Sequence, residues 1–137
     1  MRKKLLYIVF ISLALLSCSD KIVIVVCTDC TPDEPVKTDV IIKLEPGSWS
    51  MVKLSVFLGN IEDSVMIDSF YTGNDVENYS CFVNTKYTFR AEYFSPSTKK
   101  INVVDSAYPR VKYEADQCDN PCYYVYDNKI NLKVRYY

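Results

Sequence analysis

The sequence predicts an all-β protein, folded as a single antiparallel β-sandwich of about seven to eight strands. Apolar and polar residues alternate with a period of two along most of the chain, most clearly where Ile130, Leu132 and Val134 alternate with Asn131 and Lys133. Turn-forming residues interrupt these runs at intervals of roughly 8–15 residues. After the first 17 residues, no window of about a dozen residues keeps the 3.6-residue period of an amphipathic helix.

The alternating runs also predict which side chains form the core. The expected core residues include Val40, Ile42 and Leu44 in an early run and Tyr87, Phe89, Ala91 and Tyr93 in a central run. Glu92 lies on the opposite face of the central run, so it is expected to be a solvated strand charge. Asp127 and Asn128 separate the last two runs and predict a tight hairpin between the final strands.

The N-terminus has the features of an export signal. Basic residues 2–4 precede the apolar run 5–16, which is shorter than the roughly 20 residues that span a bilayer as a helix. The run ends in Leu15-Leu16-Ser17-Cys18, which resembles the lipobox of bacterial lipoproteins. That resemblance implies cleavage before Cys18 and acylation of Cys18, which would anchor the protein in a membrane. The predicted organisation is a signal peptide (1–17), a lipidated N-terminus and tether (18–38) and a β-sandwich domain (39–137).

Short motifs refine the expected location. Ser19-Asp20-Lys21 resembles the export tags of surface lipoproteins in Bacteroidota-type bacteria. The predicted location is therefore the outer membrane, on its periplasmic face or at the cell surface. Asp63-Ser64-Val65 and Asp105-Ser106-Ala107 match the O-glycosylation tripeptide of the same group, which makes Ser64 and Ser106 candidate glycosylation sites.

Among the five cysteines other than Cys18, the two close pairs are expected first to form disulfides in an oxidising compartment. Cys118 and Cys122 flank an Asp-Asn-Pro turn, so a bridge that closes this loop is expected. Cys27 and Cys30 have the C-x-x-C spacing of thiol oxidoreductases but follow a strand-like run, so a structural disulfide or two lone thiols are favoured over redox catalysis. No zinc site is expected, because the two pairs lie far apart in the sequence and an oxidising compartment converts thiols to disulfides.

Two further features concern the core of the predicted domain. Cys81 stands alone in a strand-like run and is expected to be unpaired and buried. The segment 87–93 (Tyr-Thr-Phe-Arg-Ala-Glu-Tyr) resembles the Y-x-x-x-A-x-Y/F strand of transthyretin-like and carboxypeptidase-regulatory-like domains. This resemblance implies an Ig-like or transthyretin-like sandwich, and transthyretin-like lipoproteins of secretion machines are a precedent for a role in protein interactions.

Composition argues against several function classes. The chain has no histidine, which excludes Ser-His-Asp and Cys-His catalysis and His-ligated metals. Its formal net charge of −1 provides no basic surface for nucleic acid. No catalytic residue, metal ligand or cofactor is therefore predicted.

Tyrosine is the one residue type in excess, with 12 copies, and five of them lie in the C-terminal region 123–137. Alternation sends Tyr124, Tyr126 and Tyr136 to one face, and Tyr123 and Tyr137 to the other. Tyr123 and Tyr137 are thus candidates for binding a partner or a glycan. The favoured function is a non-enzymatic binding module for an envelope or surface protein. A glycan-binding surface lipoprotein is the alternative, and a small hydrolase or thiol oxidoreductase is the least supported.

Overall fold

The computed structural model describes residues 25–49, 51–63, 65–94 and 100–135. These residues form nine strands and three short 3-10 turns, with no α-helix among them, so the all-β prediction is confirmed with more strands than expected. The strands are β1 (Lys37–Lys43), β2 (Val52–Leu58), β3 (Met66–Thr72), β4 (Val76–Phe82), β5 (Tyr87–Phe94), β6 (Lys100–Ala107), β7 (Arg110–Glu114), β8 (Cys122–Tyr126) and β9 (Lys129–Asn131). Across the described ranges, no helix has the length and apolar character needed to span a membrane.

Two sheets form the sandwich, and a two-stranded ribbon adds to it. The larger sheet has the order β3-β2-β5-β6 and is antiparallel throughout. The smaller sheet has the order β4-β1-β9, in which β1 and β4 are antiparallel but β1 and β9 are parallel. Among the described strands, β7 and β8 pair only with each other. The parallel β1–β9 pair departs from the predicted all-antiparallel arrangement.

The core lies between the two sheets, and the alternating runs identify it correctly. Its largest completely buried side chains include Ile42 from β1, Leu44 directly after β1, and Leu54, Phe89 and Tyr93 from the larger sheet. Each comes from the apolar face of a period-two run, because successive side chains of a strand point to opposite faces of the sheet. Burying such residues stabilises the fold by about 1.5–3 kcal/mol for each large side chain.

Tyr93 connects the two sheets through its hydroxyl group. The hydroxyl donates a hydrogen bond to the carbonyl oxygen of Leu132 (2.8 Å) and accepts one from the backbone N–H of Glu45 (3.3 Å). Glu45 follows β1 and Leu132 follows β9, so a side chain of β5 holds the ends of two strands in the opposite sheet. Burial raises the pKa of the Tyr93 hydroxyl, and the hydrogen bond from Glu45 lowers it by a smaller amount.

The predicted hairpin at Asp127 and Asn128 is wrong. Strand β8 pairs with β7, whereas β9 pairs with β1 in the smaller sheet. Asp127 adopts a positive φ of 56°, which turns the chain sharply, and the carbonyl oxygen of Asn128 accepts a hydrogen bond from the N–H of Ile41 (2.8 Å). The turn therefore carries the chain to the edge of β1, where Ile130 becomes buried.

The prediction of a solvated Glu92 is also wrong. Only 5% of Glu92 is exposed, although its side chain lies on the outer face of the larger sheet. Its Oε1 atom lies 3.3 Å from Nε of Arg90 and 3.0 Å from Nζ of Lys100. The guanidinium of Arg90 also stacks 5.3 Å from the ring centroid of Phe57. Long neighbouring side chains thus cover the carboxylate and compensate its charge.

Regular structure is present before residue 39, the predicted start of the β-sandwich domain. Strand β1 begins at Lys37, and a 3-10 turn at Cys27–Asp29 precedes it. Thr31 pairs with Tyr123 through an antiparallel bridge. Part of the predicted tether (18–38) is therefore joined to the domain.

We expect Tyr93→Phe to lower the free energy of unfolding by about 1–2 kcal/mol, because the buried Leu132 carbonyl loses its donor and the Glu45 N–H its acceptor. Urea denaturation followed by circular dichroism measures this difference. Tyr71→Phe is the matched control, since Tyr71 is 59% exposed and its loss of a hydroxyl should change stability by less than about 0.5 kcal/mol. Equal midpoints for both variants would contradict the bridging role of Tyr93.

Candidate binding surface

Two disulfides join the N-terminal segment to the loop before β8 and to the first residue of β8. Cys27 bonds to Cys118 and Cys30 bonds to Cys122, with Cα–Cα distances of 5.7 and 5.5 Å. The four cysteines predicted to form disulfides do so, but the expected bridge between Cys118 and Cys122 is wrong. Cys27 and Cys30 are likewise not bonded to each other. Each cysteine of the early pair bonds to a cysteine of the late pair because the segment around residues 27–31 lies alongside the ribbon of β7 and β8.

A short backbone pairing reinforces these two bonds. The N–H of Thr31 donates to the carbonyl oxygen of Tyr123 (2.9 Å), and the N–H of Tyr123 donates to the carbonyl oxygen of Thr31 (2.8 Å). The Thr31 hydroxyl donates to the carbonyl oxygen of Asp33 (2.8 Å), which shapes the turn that follows. Residues 27–31 and the two disulfides that hold them are called the disulfide clasp below. The clasp places a third chain segment beside β8.

Tyr123 lies on the outer face of the ribbon, between the clasp and β7. It is directly opposite Tyr113 on β7, with ring centroids 5.1 Å apart and ring planes tilted by 55°. Tyr113 is 52% exposed, and Tyr123 is half-buried. Val111 and Val125 form the adjacent cross-strand pair on the same face. We call Val111, Tyr113, Tyr123 and Val125 the tyrosine surface.

The other tyrosines of the ribbon face inward, as alternation predicts. Tyr124 is buried and Tyr126 is half-buried, with ring centroids 6.1 Å apart. Tyr136 and Tyr137 lie outside the described residues. The exposed partner of Tyr123 is thus Tyr113, which sequence reasoning did not select as a binding residue. The alternation of Val111 and Tyr113 predicts that both lie on one face of a strand. Only the pairing of β7 with β8 brings Tyr113 beside Tyr123.

An open groove of about 300 Å³ continues from the tyrosine surface toward the clasp. Tyr123 and Val125 line it together with Thr31 and Pro35. Its remaining lining residues are Asp29, Lys37, Thr38, Asn128 and Lys129. The region therefore combines aromatic and aliphatic area with charged side chains, a mixture that protein-binding surfaces commonly have.

The remaining predicted sites do not join this surface. Ser106 is exposed on β6, and its N–H donates to Oδ1 of Asp105 (2.8 Å). Cys18 and Ser64 lie outside the described residues. Within the described ranges, the sulfur atoms of Cys30, Cys118 and Cys122 form the only group of metal-ligating atoms close enough together to share an ion.

No protein-family description, curated protein or solved structure matches this chain. The resemblance of β5 to a strand of transthyretin-like domains therefore stays a prediction, as does the lipobox.

Cys81 is the one described cysteine without a disulfide, and it is buried in the core, as predicted. Burial, with a smaller contribution from the charge of Asp39, raises the pKa of its thiol from 9.0 to about 12.

Because the thiolate is the reactive species, we expect the Cys81 peptide to resist iodoacetamide at pH 8 in the folded protein and to react in urea. Mass spectrometry of that peptide measures both rates, and comparable rates would contradict a buried thiol.

The same pKa predicts a loss of stability at high pH. In the unfolded chain the Cys81 thiol ionises above about pH 9, whereas in the folded protein it stays protonated until about pH 12. The unfolded state thus binds fewer protons between these values, and the Cys81 contribution to stability decreases as the pH rises through this window. A Cys81→Ser variant is expected to show a shallower decrease in urea denaturation midpoint above pH 9.

Proposed function

We propose that this protein is a non-enzymatic binding module, attached to the outer membrane through lipid on Cys18, that binds an envelope or surface protein through its tyrosine surface. The observation that carries the proposal is the Tyr113–Tyr123 pair beside the disulfide clasp. Paired tyrosines present large apolar area and two hydroxyl groups, and a tyrosine loses little conformational entropy when it binds. Hot spots of protein interfaces are enriched in this residue.

The clasp supports the proposal because it holds the surface in place before binding. Tyr123 is paired on one side with β7 and on the other with Thr31, and two disulfides hold the Thr31 segment. A surface that is already ordered loses less entropy on association than a mobile loop does. Such a surface suits specific recognition of a partner.

The position of the clasp also bears on where the partner lies. Cys27 follows Cys18 by nine positions, so a fully extended chain between them spans at most about 30 Å. Without the disulfides, the distance would be set by Lys37, the first residue of β1, and would reach about 60 Å. A lipid on Cys18 would therefore keep the tyrosine surface close to the membrane, within reach of other envelope proteins.

The anchoring part of the proposal has a direct test. Cells that express the full-length protein and are fed an alkyne-labelled fatty acid should label the wild type, whereas Cys18→Ser should lose the label and leave the membrane fraction. Cys81→Ser is the matched control and should be labelled like the wild type, because its thiol is buried in the core. Equal labelling of Cys18→Ser and wild type would contradict lipidation at this residue.

The binding part is tested by cross-linking in the native envelope, followed by identification and purification of the captured protein. We expect Tyr113→Ala and Tyr123→Ala each to weaken binding of the purified partner roughly tenfold or more, as loss of an interface hot spot does. Tyr71→Ala is the matched control, since Tyr71 is similarly exposed and belongs to a sheet that contains neither β7 nor β8.

The outcome of that experiment also separates the two kinds of partner. If no protein is captured and the tyrosine variants instead lose binding to purified surface glycans, the tyrosine surface stacks on sugar rings. If both alanine variants bind every partner as tightly as wild type and Tyr71→Ala, the tyrosine surface has no role in binding.

A further inference from the structure

We propose that the four cysteines of the disulfide clasp form a tetrathiolate Zn²⁺ site when the two disulfides are reduced. The proposal is independent of the lipid anchor and of the tyrosine surface. It concerns a second state of the same four residues, Cys27, Cys30, Cys118 and Cys122, which the fold brings together from opposite ends of the domain.

The positions of the sulfur atoms carry the proposal. The Sγ atoms of Cys30, Cys118 and Cys122 all lie within 4.8 Å of one another, and Cys27 is bonded to Cys118. A tetrahedral zinc ion with Zn–S bonds of about 2.3 Å holds its four sulfurs about 3.8 Å apart. Bonded sulfurs would therefore have to separate by less than about 2 Å, and the sulfur of Cys27, which lies outside the group of three, would also have to move toward those of Cys30 and Cys122.

The surroundings of the cysteines permit this adjustment and give an ion a way in. All four cysteines line one open depression of about 380 Å³, together with Pro32 and residues 119–121. Residues 115–121 contain no strand, and Cys27 lies in a short 3-10 turn that brings Cys30 back beside it. Cys27 is exposed whereas Cys122 is buried, so the site would be open on one side and supported by the domain on the other.

The ligand type selects the ion. Four thiolate ligands favour zinc over the hard, oxygen-preferring Mg²⁺ and Ca²⁺. The spacings C-x-x-C and C-x₃-C place two ligands on each of two short chain segments, an arrangement that structural zinc sites use. Cys81 does not contribute, because it is buried between the sheets on β4.

The two states are linked by balanced chemistry. Each disulfide accepts two electrons and two protons from one dithiol reductant, which is itself oxidised to a disulfide, so two equivalents produce four thiols. One Zn²⁺ then replaces the four thiol protons and forms four Zn–S bonds. Zinc and disulfides thus compete for the same sulfur atoms, and the oxidised protein has no site for the ion.

Titration with Co²⁺ and then Zn²⁺ tests the proposal on the full-length protein in detergent, reduced without air by a phosphine that does not ligate these ions. We expect one Co²⁺ per chain, with the strong visible absorption of tetrahedral cobalt thiolates, and its displacement by one Zn²⁺. The oxidised protein should bind none. Circular dichroism during the titration reports whether the reduced chain keeps its β-structure.

Variants distinguish a built site from loose binding by separate thiols. Cys30→Ser and Cys122→Ser should each weaken Co²⁺ binding roughly 100-fold or more, since each removes one of four ligands. Cys81→Ser should bind like the wild type. The proposal is overturned if the reduced protein shows no thiolate–cobalt absorption, if Cys122→Ser binds as tightly as wild type, or if the chain unfolded in urea binds with the same affinity as the reduced protein without urea.

Discussion

Burial of the inward face of β5 is the constraint on which the rest of the sandwich depends. Tyr87, Phe89, Ala91 and Tyr93 project from this strand into the core, and β2 and β6 pair with its two edges. The Tyr93 hydroxyl also bonds the backbone beyond β1 and β9, so the larger sheet positions the smaller one. A slip of one residue in the register of β5 would turn these four side chains toward solvent, and the pairing of the larger sheet is therefore strongly specified.

The ribbon of β7 and β8 is held in a different way. A two-stranded hairpin is marginally stable by itself, and this ribbon shares no sheet with the core strands. Two disulfides compensate by linking it to the N-terminal segment across sequence separations of 91 and 92 residues. Bonds that close such long loops restrict the unfolded chain considerably. The tyrosine surface thus relies on covalent links as well as on packing, which ties its integrity to the redox state of the four cysteines.

Sequence reasoning succeeded where the relevant property is local. Alternation correctly assigned Val40, Ile42 and Leu44 to the core and Tyr124 to the inward face of β8, because the two faces of a strand follow from backbone geometry alone. It failed for Glu92, whose position on the outer face is as predicted but whose burial depends on the long side chains of neighbouring residues. Facing outward and being solvated are separate properties when neighbours are long enough to cover a charge.

By itself, therefore, the sequence determined the all-β class, the buried faces of the central strands and the unpaired, buried state of Cys81. The tertiary structure alone decided that the early cysteine pair forms its disulfides with the late pair. It also decided that β9 pairs with β1 and not with β8, and that Tyr113 lies beside Tyr123. The physical reason is the distance along the sequence over which each property is decided. Side-chain alternation reports the conformation of a few consecutive residues, whereas disulfide partners and strand order depend on which distant segments become neighbours when the core is buried.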